Sequence, residues 1–427
     1  MAGMWLFAPV MTNPLQDTKT YDVIIAGAGP GGAACALSLA GSGLRVALLD
    51  KARFPRDKIC GDALSGKVVS VLRHTSPDAL AALRALPPKL GSWGIRFVAP
   101  DGEVLDIPFK SDANPDSEEA PGYISKRLEF DDFLARQAAA VPEVDWIQDF
   151  EVNEVAAFPD KVRVSNGHRR LEAAIVVGAD GAHSVVAKQL SDIRVEKQHY
   201  SAGIRAYYEG VTGFHPHHFV ELHYIKSLLP GYFWVFPLPN GMANVGLGML
   251  SRDVSAGRVN LKARLLEIVA EHPQIAPRFQ GAELVGKIQG FGLPLGSKKR
   301  RISGARFLLV GDAAALIDPF SGEGIGNAMV SGRVAAQQIL ASFEVGDFSA
   351  QTLLAYDREV YRKLWSELRL SHTMQQLVNY PWLFNFVVRK ANRNASIRTM
   401  MTMMFENLDI RKELSRPSFY WKLLSGG

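Results

Sequence analysis

Residues 21–50 hold the pattern that most restricts what this chain can fold into. A short apolar run, Tyr21-Asp22-Val23-Ile24-Ile25-Ala26, enters Gly27-Ala28-Gly29-Pro30-Gly31-Gly32, and a second run from Arg45 to Leu49 ends on Asp50. The first run suits a buried parallel strand and residues 33–42 suit a helix, so strand, G-x-G-x-x-G turn, helix and strand follow in the order of a dinucleotide site. Gly27 permits the tight turn, Gly29 lets backbone N–H groups approach a pyrophosphate, and Gly32 lets helix and strand pack closely. The helix N-terminus favours the negative charge. Asp50, about twenty residues past the first glycine, is spaced to accept hydrogen bonds from an adenosine ribose. Gly27, Gly29, Pro30, Gly32, Asp50 and Lys51 are therefore the first candidate contacts.

A second motif lies almost at the other end of the chain. Phe307-Leu308-Leu309-Val310 runs into Gly311-Asp312, and Asp318-Pro319-Phe320-Ser321-Gly322-Glu323-Gly324-Ile325 precedes an alanine-rich helix. A strand ending in Gly-Asp can aim a carboxylate at the hydroxyls of a ribityl chain, and glycine-rich backbone at a helix start can approach a flavin and its phosphates. Between the two lies Val177-Gly178-Ala179-Asp180-Gly181-Ala182-His183-Ser184. Together the three segments resemble the FAD enzymes of the p-hydroxybenzoate hydroxylase fold, with Lys188 where an arginine is usual. That resemblance implies non-covalent FAD held by Asp180, Gly311, Asp312, Gly322, Gly324 and Ile325. It also implies that Arg127, at the start of a helix, lies beside the flavin.

The motifs divide the chain into interleaved parts, an α/β architecture. A Rossmann-like FAD-binding domain is expected from residues 18–90, 122–200 and 298–345. Strand-like pieces at 93–98, 104–108, 203–210, 218–223, 232–236 and 244–249 suggest an antiparallel sheet inserted as a substrate domain over 91–121 and 201–297. Residues 257–271 read as an amphipathic helix, 110–122 as an acidic surface loop, and 346–427 as a helical C-terminal region.

Composition bounds the setting. The chain has 427 residues at 47% hydrophobic content, enough for a large core. Its two cysteines offer no disulfide framework, which suits a reducing, cytoplasmic compartment. No run of about twenty apolar residues is present to span a bilayer. Residues 346–427 carry the whole of the +5 net charge, together with Trp382, Phe384, Phe386 and the cluster Met400, Met401, Met403, Met404 and Phe405. Such a tail either packs as ordinary helices or touches the inner face of a membrane as a peripheral surface. No basic stripe of a known module points to nucleic acid.

Two segments narrow the chemistry. Lys58-Ile59-Cys60-Gly61-Asp62 resembles a lysine-and-Cys-Gly segment of the geranylgeranyl reductase family, where the cysteine sits near the reacting face of the flavin. Pro230-Gly231-Tyr232-Phe233-Trp234-Val235-Phe236-Pro237, followed by Ala243 to Gly248, resembles that family's aromatic strand and its partner. Tyr232, Trp234 and Phe236 would share one face as a flat apolar wall. The resemblance implies hydride transfer from reduced FAD to a double bond of a prenyl (geranylgeranyl-type) lipid or isoprenoid quinone. Cys60, Tyr232 and Trp234 are then the catalytic candidates, and Cys60 and Gly61 join the cofactor set. Lys58 and Asp62 read either as part of that site or as capping residues of a loop. His183 has no assigned catalytic role, and Lys298-Lys299-Arg300-Arg301 reads as a solvated loop rather than a phosphate site.

Other chemistries share the same motifs. An aromatic monooxygenase is one alternative. A halogenase is another, since Gly231 to Pro237 also resembles its Trp-x-Trp-x-Ile-Pro segment, although Ser92 stands where the tryptophan halogenases place a lysine. A flavin-bound scaffold without turnover is the non-enzymatic alternative. The electron donor is either NADPH, bound without a Rossmann domain of its own, or a ferredoxin-like protein.

Overall fold

The computed structural model describes residues 18–110, 114–394, 398–399 and 401–402. At its centre Val23–Ala26 lies between Ile175–Gly178 and Val46–Leu49, all parallel. Phe307–Leu309 and Val144–Ile147 extend the sheet in parallel, and Ser303–Gly304 closes one edge antiparallel. Every residue of the three innermost strands and of Phe307–Leu309 is buried, which is why their sequences are unbroken apolar runs. Register brings the distant motifs together. Gly178 pairs with both Ala26 and Leu309, so Gly27, Ala179 and Val310 leave the sheet side by side at its carboxyl edge, where open α/β sheets bind ligands.

The helix after the first glycine motif spans Pro30–Ser38 rather than 33–42. Pro30 sits at its first turn, where a missing N–H costs nothing. It ends early because Gly41 and Gly43 take left-handed backbone, with φ of 72° and 74°. It packs against Ile325–Val345 at very close range: a Cβ on Gly332 would lie 2.1 Å from the carbonyl oxygen of Gly31.

The inserted sheet has seven strands in the order 283–294, 200–209, 242–250, 232–237, 220–223, 94–98, 104–108. All neighbours are antiparallel except Val220–His223 against Gly94–Val98. The edge strand Glu283–Pro294 was not legible in the sequence, because its glycines at 286, 290 and 292 interrupt any alternation. The helix expected over 257–271 spans Leu261–Glu271, and a separate short helix, Ser251–Gly257, precedes it. Arg258, at φ 48°, breaks them apart, and the Asn260 side chain caps the second through the Ala263 N–H.

Ala350–Leu377 packs Leu353, Tyr356, Val360 and Leu364 into the main core. Pro381–Arg393 buries Phe384, Val388 and Ala391 against the inserted sheet and leaves Tyr380, Trp382 and Phe386 57%, 69% and 41% exposed. Met401 packs on the same core, whereas Met400, Met403, Met404 and Phe405 lie outside the described residues. Among the described residues no helix is long and apolar enough to cross a membrane. The basic run is absorbed locally. Lys298 pairs with Glu196, Lys299 lies over Tyr361 and Trp365, and Arg300 and Arg301 donate to backbone carbonyls.

Gly332→Ala is expected to force the two helices apart, costing about 1–3 kcal/mol. A thermal melt of the holoprotein checks it, and an unchanged midpoint would contradict the packing.

Candidate functional site

The carboxyl edge of the parallel sheet and one face of the inserted sheet enclose a cavity of about 1480 Å³. Gly27, Gly29, Pro30, Asp50 and Lys51 line it from the first motif, Cys60, Gly61 and Arg127 from the next segments, and Asp180 from the turn after Ile175–Gly178. Gly311, Asp312, Gly322, Gly324 and Ile325 line it from the last motif, and Tyr232 and Trp234 from the inserted sheet. Gly32 alone among the expected residues stays behind the wall. A Cβ there would lie 1.9 Å from the Gly27 carbonyl, so it serves the close packing of helix on strand.

Several features suit an extended anionic dinucleotide. Gly27 takes φ 108° and passes so close to Ala179 that a Cβ would meet that carbonyl oxygen at 2.3 Å. The helix start at Pro30 then faces the cavity with unpaired N–H groups. Asp50 is held by the N–H groups of Ala28 (3.1 Å) and Ala52 (2.9 Å). Asp180 accepts from Val185 and Val186 through Oδ2, while its buried Oδ1 has no hydrogen-bond partner among the described residues. Burial raises the Asp180 pKa against these hydrogen bonds. An orphaned carboxylate oxygen facing a cavity is the kind of acceptor a ligand hydroxyl satisfies.

A chain of alternating charge joins the two ends of the cradle. Arg127 donates to both oxygens of Asp131, at 2.5 and 2.7 Å. Arg56 donates to Asp131 at 2.7 Å and reaches Asp50 at 3.5 Å. The Arg127 guanidinium also lies beside the Cys60 thiol, whose pKa burial raises while Arg127 opposes that rise. Burial works against the Arg127 charge, but Asp131 and Cys60 outweigh it and hold the pKa above the usual value.

Asp62 is not a solvated cap. It is fully buried, with φ 68°, and its carboxylate accepts from Tyr207 Oη (2.8 Å), Asn244 Nδ2 (2.7 Å) and the Arg127 N–H (3.2 Å). Asn244 also donates to the Cys60 carbonyl (2.7 Å) and accepts from Trp234 Nε1 (2.9 Å). Two network members, Tyr207 and Asn244, escaped the sequence reading. The available signal was Asn244, the one polar side chain in the apolar strand Met242–Leu250. On the far side Tyr232 Oη donates to the Ser321 carbonyl (2.7 Å), which ties the aromatic strand to the last glycine loop.

The sequence model of the FAD binding domain matches residues 20–370, which lie across all three motifs. The chain belongs to the FAD binding domain family. It is 30% identical to a menaquinone reductase of Mycolicibacterium smegmatis, over 91% of each chain. It is also 30% identical to a digeranylgeranylglycerophospholipid reductase of Thermoplasma volcanium, over 80% of this chain and 83% of that one. Its fold is similar to that of a geranylgeranyl bacteriochlorophyll reductase-like protein of Thermoplasma acidophilum, at a TM-score of 0.76 and 24% identity over 93% and 99% of the two chains. The expected Rossmann-like FAD fold is therefore present, and the protein is an FAD-dependent oxidoreductase.

Two expectations follow. Asp312→Ala and Asp50→Ala should each weaken FAD binding by about 1.5–3 kcal/mol through loss of a charge-assisted hydrogen bond. Fluorescence titration of the apoprotein measures it, and unchanged affinity in both would refute the cradle. Burial pushes the Asp62 pKa up to about 6, against the hydrogen bonds from Asn244 and Tyr207 that lower it. An acid whose folded pKa is raised costs stability as pH climbs from its unfolded value to its folded one. Between about pH 4 and pH 6 the wild type should therefore lose about 2–3 kcal/mol relative to Asp62→Asn. Denaturant titrations across that window read the difference, and a constant gap would contradict it.

Proposed function

We propose that this protein reduces carbon–carbon double bonds of a prenyl lipid or isoprenoid quinone with electrons carried by FAD. The observation that supports this reading most is continuity: the cavity of the cofactor cradle runs without a break along Tyr232, Trp234 and Phe236 to Ile95, Val220 and Leu222. Such a wall offers an isoprenoid chain what it needs, because each buried CH₂ is worth about 0.8 kcal/mol and an alkene carries no polar group to satisfy. The names of the menaquinone and digeranylgeranylglycerophospholipid reductases support the same substrate class. Ser92 lines the cavity with its hydroxyl committed to the His218 carbonyl at 2.9 Å, which disfavours a halogenase.

In this reading the FAD-binding parts are 18–90, 122–200 and 298–345, the substrate parts 91–121 and 201–297, and the helical region 346–427. Bound and reduced FAD supplies a hydride. The chain's own residues do the rest. Gly27, Gly29, Pro30 and Gly32 shape the pyrophosphate end, Asp50 and Lys51 the adenosine end, and Asp180, Gly311, Asp312, Gly322, Gly324 and Ile325 the ribityl and ring end. Trp234, its indole fixed by Asn244, and Tyr232, fixed by Ser321, present the alkene as a flat apolar surface. Cys60 lines the same cavity, either giving the proton at its thiol or orienting the double bond, and Gly61 lets the loop approach the wall at Phe236. Arg127 holds that thiol in place.

The helix Pro381–Arg393 forms the membrane-facing surface: exposed Tyr380, Trp382 and Phe386 precede Arg389, Lys390 and Arg393. Its inner face packs on the sheet that carries the aromatic wall. Sedimentation with anionic vesicles should be released by high salt as screening shortens the reach of the basic side chains. Equal binding to neutral vesicles, or none to either, would contradict this surface.

Chemically reduced enzyme mixed with a geranylgeranyl lipid or a prenylquinone under strict exclusion of oxygen tests the reaction itself. Flavin absorbance at the oxidised band should return with substrate, and Cys60→Ala should slow that return while FAD stays bound. Failure of either substrate to reoxidise the flavin would sink the reading.

A further inference from the structure

Five buried or half-buried cations line the cavity: Arg56, Lys58, Lys67, Arg127 and Arg205. Four of them are neutralised by carboxylates. Arg56 and Arg127 share Asp131, Arg205 pairs with Asp57 at 2.6 Å, and Lys67 pairs with Glu367 at 2.8 Å. Lys58 is different. Among the described residues no carboxylate lies within ion-pair distance of its ammonium, which sits 2.9 Å from the centre of the Phe291 ring. A cation over an aromatic face gains less than an ammonium loses when it is taken out of water without a counter-ion. Burial accordingly draws the Lys58 pKa down to about 8, although Asp312 opposes the drop.

The place of Lys58 within the cavity narrows what its counter-ion can be. The phosphate end already has the helix start at Pro30 and Arg56, whose guanidinium lies 3.7 Å from where a Cβ on Gly29 would sit. Lys58 belongs to the other end. Asp57, before it, is tied to Arg205, and Cys60 and Asp62, after it, are tied to Asn244 and Tyr207. Gly61 lies so close to the aromatic wall that a Cβ there would meet the Phe236 ring at 2.7 Å. The loop is pinned on both sides of Lys58, and the side chain is held where the cofactor cradle meets the substrate wall.

We propose that Lys58 is the counter-ion of the reduced flavin. Two-electron reduction with uptake of one proton leaves the isoalloxazine with one more negative charge than the oxidised ring. A fixed ammonium beside it favours the reduced form and raises the potential of the couple, charge near the ring being a principal means by which a protein tunes this cofactor. The pairing is redox-linked: the positive charge stands unmatched when the flavin is oxidised and is matched when it is reduced. Methionine at this position keeps the stem over Phe291 and removes only the charge.

Spectroelectrochemical titration of the holoprotein with dithionite as reductant, together with the affinity of the apoprotein for oxidised FAD, tests the proposal without any prenyl substrate. Its outcome is therefore independent of the substrate assigned above. In Lys58→Met the preference for reduced over oxidised flavin should fall about tenfold, a midpoint lower by about 30 mV for a two-electron couple, with oxidised FAD bound within about twofold of wild type. Lys58→Arg should keep the wild-type midpoint, and Lys58→Gln serves as a second neutral variant should the methionine protein fold poorly. An unchanged midpoint overturns the proposal in either of two ways. Weaker binding of oxidised FAD would assign Lys58 to the permanent charge of the pyrophosphate, and unchanged binding would make it a packing group on Phe291.

Discussion

The buried carboxylate of Asp62 holds the cofactor side of the cavity to the substrate side. It sits in the loop that carries Cys60 and takes its hydrogen bonds from Tyr207 and Asn244 of the inserted sheet and from the Arg127 N–H of the parallel-sheet domain. Burying a carboxylate is costly, and three donors from two domains offset that cost only in one arrangement of the loop. Removing the acid would leave those donors buried without an acceptor, at about 1–3 kcal/mol each. Asn244 passes the constraint on, since it also fixes the Trp234 indole and the Cys60 carbonyl. The Tyr232–Ser321 hydrogen bond closes the opposite side. The distance between the thiol face and the aromatic wall is thereby set by buried polar bonds rather than by apolar contact alone.

The cofactor half of this arrangement was readable in the residues because backbone geometry dictates it. A turn at φ 108° against Ala179 accepts only glycine, and a strand buried on both faces must be apolar throughout. Tyr232, Trp234 and Phe236 were likewise readable as one face from their alternation, and all three line the cavity. What the sequence could not express was partnership across long separations. Asp62 could be read either as part of the site or as a loop cap because its hydrogen-bond donors lie roughly 65 to 180 residues away, at a helix start and in strands whose register no local pattern specifies. The edge strand Glu283–Pro294 was hidden by its glycines, and the helix break at Arg258 by a left-handed residue that is not glycine. The helical tail packs Phe384 and Val388 into the core and leaves Trp382 and Phe386 exposed.

A fold of this kind does not fix its chemistry, since the same cradle serves different fates of a reduced flavin. What favours hydride transfer is the character of the second half of the cavity. Along Tyr232, Trp234, Phe236, Ile95, Val220 and Leu222 its wall is aromatic and aliphatic, and the position at Ser92 carries no ammonium. An apolar chain laid along Trp234 keeps water from the reacting carbons, and the double bond needs only a hydride on one carbon and a proton on the other.

The most direct test is to follow oxygen and hydrogen into the product. Turnover of a polyprenyl substrate in the presence of isotopically labelled dioxygen, read by mass spectrometry, should give a product that is heavier by two hydrogens for each double bond reduced and carries none of the label. A product that contains labelled oxygen and retains all of its double bonds would contradict the account.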